Sequence, residues 1–298
     1  PMHETKDSVV RGILELPNLR VVVAVTTMTA REARHRHRMA PVSASLAAQG
    51  ITGGVLLSAL QKGDTRTNLQ LECDGPFRGF FVDAATNGDV RAYAKNSTLD
   101  IELAEGPYKW RAALGNSGFL SVLRDIGEEY YRSSVALIDM NVASDLNHYF
   151  ATSDQVASHV SIEVVPRGDE KLGVVAGVLI QALPEGNVET LNALRQQIPQ
   201  QLVSALSNTP EVTAEVLAEL LFPQMTKLNS VPVRFHCTCN KQRVIDTLAT
   251  LGVTEIQHIV DTMGSTAVTC QFCAEKHEVA LPDLLELLEK LGAPIAQS

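Results

Sequence analysis

Residues 235–239 read FHCTC and residues 268–273 read VTCQFC. Cys237, Cys239, Cys270 and Cys273 thus form two tight pairs, with residues 240–269 between them. Zinc takes four ligands in a tetrahedron, with Zn–S near ~2.3 Å. Two close pairs, brought together by a fold, supply that shell. In extended backbone, residues two apart point to the same side, so Cys237 and Cys239 can grip one ion together. A C-x-x-C turn does the same from the opposite side. A disulfide scaffold would be shorter and richer in cysteine, so this spacing in a long chain reads as metal binding. Four thiolates already fill the shell, so the flanking His236 and His277 are expected outside it.

The segment that carries the pairs, residues 233–298, is short. A unit of this size has a small core and is marginal alone. A structural zinc contributes about 10–16 kcal/mol of apparent binding free energy in such units, so folding here is expected to depend on the metal. Zinc-bound cysteines are deprotonated, and thiolates are what oxidants attack. Pairing Cys237 with Cys239 and Cys270 with Cys273 would remove all four ligands. A dication with four thiolates keeps a net double negative charge; Arg234, Lys241, Arg243 and Lys276 lie close by in sequence to offset it. Helical patterns span residues 241–251, 253–263 and 282–291, with a strand over 276–280.

Working back from the cysteines, residues 185–232 read as a helical linker. Val188, Leu191, Leu194, Ile198, Leu202 and Leu206 recur at helical spacing, interrupted by Pro199. A second helix is expected from Thr209 as N-cap, Pro210 at its first position and Glu211 in its first turn. Its apolar stripe is Val212, Val216, Leu217, Leu220 and Leu221. Two short amphipathic helices cannot bury both stripes on each other and must lean on a neighbour.

Residues 1–184 mix strands and helices without βαβ alternation. The fold class is therefore α+β: an N-terminal mixed core domain with antiparallel sheet (1–184), the linker (185–232) and a small C-terminal zinc-binding domain (233–298). Leu19–Thr27 is β-branched and strand-like. Residues 41–60 read as a buried helix with Pro41 in its first turn. Gly50 and Gly54 lie four apart on one of its faces, which lets another element approach its backbone. Strands are expected over 68–73, 77–83 and 89–94, linked by the turns Asp74-Gly75-Pro76 and Asn87-Gly88. Residues 118–126 and 144–150 look helical, and 158–165 and 173–183 look like strands. Asp74 and Asp83 are expected to serve turns.

Composition narrows the function. The 298 residues carry a net charge of −9 and only 5% aromatics, which disfavours nucleic acid and anionic lipid as partners. The cluster Arg31, Arg34, His35, Arg36, His37 and Arg38 is the one basic patch, read as a solvated helix face. The uncharged stretch 39–60 contains Pro41, three glycines and several hydroxyl groups, so it reads as a core helix and not a membrane span. Pro1-Met2 reads as an added residue before a start methionine or a trimmed native end, which leaves room for a removed targeting segment. No Ser-His-Asp grouping, paired carboxylates or phosphate-binding G-x-x-x-x-G-K-[ST] loop stands out, so the chain is not expected to be an enzyme. Cys73, the fifth cysteine, reads as a small core residue on a strand face.

Further segments join the cysteines in a wider pattern: Leu69-Gln70-Leu71-Glu72-Cys73-Asp74-Gly75-Pro76, residues 89–93 (DVRAY), residues 118–125 (GFLSVLRD), Leu146-Asn147-His148-Tyr149-Phe150 followed by Ser153-Asp154-Gln155, and Leu220-Leu221-Phe222. Together they resemble the bacterial-type redox-regulated holdase chaperones, the heat-shock protein thirty-three family, over nearly the whole chain. The chain departs from that pattern at Cys73, where glycine is expected, and in the Pro41 helix, which lacks an expected Gly-Arg pair. The resemblance implies a zinc-bound, reduced, inactive form. It implies that oxidation makes the disulfides Cys237–Cys239 and Cys270–Cys273, releases zinc and unfolds the tail and linker. Unfolding client proteins then bind, without ATP, and the N-terminal domain forms a homodimer. A cytoplasmic location goes with it, or an organellar one if a targeting segment was removed. Two other classes compete: a zinc-ribbon nucleic-acid binder, resting on the basic patch, and a thiol–disulfide oxidoreductase using Cys270 and Cys273.

Overall fold

The structure, a computed structural model, describes residues 6–125 and 129–292; the reading of Pro1-Met2 and the last residue of the 118–126 expectation, Ile126, lie outside the described residues. By internal contact the chain divides into two units, one ending at His236 and the other beginning at Cys237.

In the first unit, Ser8–Leu14 (β1) and Leu19–Val25 (β2) pair antiparallel. Thr27–His37 (α1) follows. Asp7 accepts hydrogen bonds from the Met28 and Thr29 amides and the Thr29 hydroxyl at 3.1, 2.6 and 2.7 Å, so a carboxylate from outside the helix satisfies its first turn. Pro41–Ser58 (α2) begins with proline, as the sequence predicts, and is buried on nearly every side. Arg66–Cys73 (β3), Gly79–Ala85 (β4) and Asp89–Ala94 (β5) form the expected antiparallel meander. The paired glycines let β4 close on α2. A Cβ on Gly50 would lie 2.8 Å from the Phe80 ring, and one on Gly54 would lie 2.7 Å from Val82.

After the short helix Arg111–Leu114 (α3) comes the first departure from the sequence reading. Gly118–Asp125 (β6) is a strand, not a helix, paired with β3 so that Leu71 faces Leu120 and Leu69 faces Val122. A short apolar run fits either period; the partner strand decides it. Tyr130–Ala136 (β7) extends the sheet. Val142–Tyr149 (α4), capped by Asn141, passes into a π-helical turn, Phe150–Asp154. Ser158–Arg167 (β8) and Glu170–Ala182 (β9) match the expected pair of strands.

Three details of the stretch read as a helical linker also differ, the last being that Thr226–Pro232 is a strand, added to the edge that β1 offers. Val188–Asn208 (α5) runs unbroken through Pro199. Ala214–Leu221 (α6) starts later than the sequence suggests, with Thr213 and not Thr209 as its cap. Thr209 instead closes α5 by donating to the Ala205 carbonyl. The Arg167 guanidinium takes the Leu206, Thr209 and Pro210 carbonyls, so that stretch is held as a turn. Thr226–Pro232 (β10) and Arg234–Phe235 (β11) complete the unit.

The strands form a five-stranded sheet in the order β10-β1-β2-β9-β8 and a six-stranded sheet in the order β11-β5-β4-β3-β6-β7. Helix α2 lies between them. Leu46, Ile51 and Leu56 pack with Val22, Val175 and Leu179 of one sheet and Leu69, Phe80 and Val82 of the other. Strand alternation gives the five-stranded sheet a second apolar face, Val21, Val23, Val178 and Ile180. That face is covered by Leu191, Ile198, Leu202 and Leu206 of α5 and Leu217 of α6. The linker stripe thus finds its neighbour on a sheet. Residues 226–235 then run along two edges: β10 pairs antiparallel with β1, and β11 pairs parallel with β5.

The second unit contains Lys241–Ala249 (α7), Val253–Met263 (α8), the hairpin of Thr266–Thr269 (β12) and Lys276–Val279 (β13), and Leu281–Lys290 (α9). Its buried apolar core is Val244, Leu248, Ile256, Val279, Leu284, Leu287 and Leu288, small against that of the first unit. The whole is α+β, the class read from the sequence.

Candidate metal centre

Cys237 and Cys239 sit on the stretch between β11 and α7, and the N-terminus of α7 is fixed by Asn240 accepting from the Arg243 amide at 2.9 Å. Cys270 and Cys273 sit on the turn of the β12–β13 hairpin. There the Ala274 amide donates to the Cys270 carbonyl and the Cys270 amide to the Glu275 carbonyl, both at 2.8 Å. Ala274 takes the left-handed conformation, φ 58°, that closes such a knuckle. Both pairs belong to the second unit, so one small core positions all four side chains.

The four sulfurs lie within 4.8 Å of one another. Cys237 Sγ is 3.8 Å from Cys270 Sγ and Cys239 Sγ is 3.2 Å from Cys273 Sγ. Four sulfurs at ~2.3 Å around one zinc would stand about 3.8 Å apart, so the cluster has close to the size of a tetrahedral shell. Its electrostatics call for a cation. Burial first, then the neighbouring sulfurs of Cys273 and Cys237, push the Cys239 thiol well above the ordinary range. Burial likewise pushes Cys273 up to about 11. Sulfurs this close resist ionising together, and a divalent ion among them reverses that. The all-sulfur donor set fits a soft-seeking ion such as zinc better than it fits a hard one.

Cationic side chains close to the cysteines in sequence are mostly committed elsewhere. Arg234 pairs with Asp89 at 2.6 Å, Lys241 with Asp283 at 2.6 Å and Lys276 with Glu278 at 3.7 Å. Arg243 reaches the Thr238 hydroxyl, between the first two cysteines. His236 ends the first unit, with its amide bonded to the Val90 carbonyl. His277, in contrast, stands against the cluster, with Nε2 3.4 Å from Cys239 Sγ. It shares a second donor group with Cys239 and Glu275. From sequence, His277 is expected outside the four-thiolate shell, either beside a ligand or in solvent; the structure puts it beside a ligand. The signal was available: in β13, His277 alternates with exposed Lys276 and Glu278 and shares the inward side with buried Val279.

Cys73 belongs to the first unit, half-buried at the end of β3 opposite Gly118. Burial pushes its thiol up to about 11. The basic patch on α1 is drawn into its own unit. Arg31 donates to the Leu172 and Gly173 carbonyls, Arg34 pairs with Glu170, and Arg36 pairs with Glu32 and lies over the Phe235 ring. Asp74 serves a turn as expected: the Ser117 and Asn116 amides hold its carboxyl below the usual carboxylate range. Asp83 does not. It is buried on β4 between Arg66 at 2.9 Å and Arg91 at 2.8 Å, with Asn68 beside them. Among the described residues no helix is long and apolar enough to cross a membrane.

Comparison with known proteins agrees with the fold. The profile of the family described as Hsp33 protein matches residues 7–280. The 33 kDa chaperonin of Bacillus mycoides is 32% identical over 293 residues, covering 96% of this chain and all of that one. The 33 kDa chaperonin of Bacillus velezensis is 31% identical, covering 95% of this chain and 99% of its own. Among solved structures, the 33 kDa chaperonin (heat shock protein 33 homolog) of Thermotoga maritima superposes with a TM-score of 0.78 at 24% identity, over 96% of this chain and 98% of that one, and so shares the fold.

Proposed function

The chain belongs to the Hsp33 family, and on that premise we propose that it is a chaperone whose holding activity is switched by oxidation of the four cysteines. The observation that carries the reading is the cluster itself. Four sulfurs from two separated segments converge in a unit whose own apolar core is small, so the metal they hold is a large part of what keeps that unit folded. When bound, zinc supplies the charge that keeps all four cysteines as thiolates and joins the two segments.

Oxidation removes the ligands. Cys237 and Cys239 give up two electrons to a peroxide or hypochlorite and form one S–S bond; Cys270 and Cys273 do the same, and the oxidant is reduced to water or chloride. Residues 233–298 then lose their clamp. Residues 185–232 become the segment that changes state; its helices α5 and α6 are held on the sheet face of Val21, Val23, Val178 and Ile180, and its last residues form the edge strand β10. Release of α5 and α6 bares that apolar face and their own stripes to unfolding client proteins. The exchange needs no ATP and no catalysed reaction. Two activated copies associate through residues 1–184, and the protein acts in the cytoplasm without nucleic acid or membrane as partner.

Zinc content and suppression of client aggregation, measured on one sample before and after peroxide with mild heat, test the reading. Zinc loss and suppression are expected to rise together. Full suppression by the reduced zinc form, unchanged by oxidation, would refute it.

A further inference from the structure

His277 is placed to act on the metal centre without being one of its four ligands. Its Nε2 lies 3.4 Å from Cys239 Sγ. The ring is not there by chance of rotamer. Strand β13 is pinned by Val268 opposite His277 and by Val279, fully buried in the small core, so alternation turns position 277 toward the cysteines and Lys276 and Glu278 away from them. With Cys239 as a thiolate, an N–H at that distance points positive charge at the sulfur.

We propose that His277 is a positioning residue of the metal centre: its Nε2–H donates to Cys239 Sγ, fixes the direction of that sulfur and lowers its tendency to leave the ion. The proposal rests on the metal reading above and adds to it a residue that the four-cysteine pattern does not contain. The physical basis is general. A hydrogen bond to a metal-bound ligand orients it and withdraws charge from it, and loss of such a partner costs about 10–100-fold in metal affinity. An N–H···S bond also draws charge from the sulfur that an oxidant must attack. Direct coordination by His277 is the competing use of the same ring. Four soft thiolates already complete a tetrahedron, which favours the hydrogen bond.

The test uses the full chain with His277→Phe and His277→Gln. Phenylalanine keeps the ring and removes the donor; glutamine restores an N–H. Zinc affinity is measured by chelator competition, and the sulfur-to-metal charge-transfer band is read with Co²⁺ in place of zinc. For His277→Phe the expected results are affinity lower by about 10–100-fold, a displaced charge-transfer band and faster zinc loss in peroxide. For His277→Gln, affinity and band are expected to return most of the way. X-ray absorption of the zinc-loaded natural chain is expected to show four sulfurs and no nitrogen. Amide protection of α9 in each loaded variant checks that the unit is folded; if the Phe variant fails this check, the shortfall of the Gln variant against the natural chain is compared with that of His277→Ala instead.

Unchanged affinity and band in His277→Phe would overturn the proposal. So would a Gln variant as weak as the Phe variant, which would assign the loss to packing. A nitrogen in the first shell would overturn it while leaving the metal centre standing. A fully reduced natural chain that binds no zinc would overturn both.

Discussion

Leu202→Ala separates docking of the linker from the chemistry of the cysteines. Leu202 is fully buried at the middle of the α5 stripe, between Ile198 and Leu206, against the outer face of the five-stranded sheet. Its truncation removes methyl groups from a packed seam and leaves a cavity, a change that costs about 2.7–5 kcal/mol. If that cost falls on the docked linker, the undocked population rises by about 100-fold or more, at tenfold per ~1.4 kcal/mol. None of the four cysteines is altered, so zinc stays bound. Two measurements on reduced, zinc-loaded protein report the outcome: hydrogen exchange of the α5 amides and light scattering from a heat-unfolding client. Faster exchange across α5 with partial suppression of aggregation, zinc content unchanged, is expected. Faster exchange with no suppression would refute the idea that the docked linker silences the protein. Unchanged exchange would show that the buried stripe does not hold α5 in place.

Cys270→Ser removes one thiolate, and zinc affinity should fall by orders of magnitude; thermal unfolding should show the residues after 236 melting first, a transition absent from the zinc-loaded natural chain. His159 titrates under α5. Burial first, then Arg195, lowers its pKa from about 6.5 to about 4. Between those values the unfolded chain binds a proton that the folded chain refuses, so stability should fall as pH drops through that window and stay flat above it. The loss is at most about 3 kcal/mol, less where solvent in the neighbouring cleft of Asn147, Gln155 and Arg195 screens the ring. Urea midpoints at pH 7 and pH 5 should differ less in His159→Gln. Cys73, with its thiol near 11, should react slowly with iodoacetamide in the folded protein, and Cys73→Ser should leave the dependence of zinc loss on peroxide unchanged.

What could be read from sequence was what local pattern fixes. The cysteine spacing found the cluster, because residues two apart in extended chain and three apart in a tight turn point together whatever surrounds them. Gly50 and Gly54 foretold a close approach, and β4 makes it. The failures share a cause. The run at 118–125 has no period of its own, and pairing with β3 makes it a strand. Strand β10, with Lys227, Asn229, Ser230 and Pro232, carries few strand signals and exists because β1 offers an edge. Asp83 looked like a turn residue; two arginines from neighbouring strands bury it. His277 needed the hairpin register before it could be aimed at Cys239.

The edge pairing of β10 has a kinetic consequence. Strand β9 ends at Ala182 and β10 begins at Thr226, and both are built into one sheet. As long as those strands hold, α5 and α6 can come away only as a closed loop with both ends anchored, not as a free tail. Closing so long a loop costs entropy that grows only with the logarithm of its length, and here the closure is already made. Return to the sheet is therefore a first-order event at a fixed, high local concentration. It should be fast, independent of protein concentration and able to displace a weakly held client once the thiolates are restored.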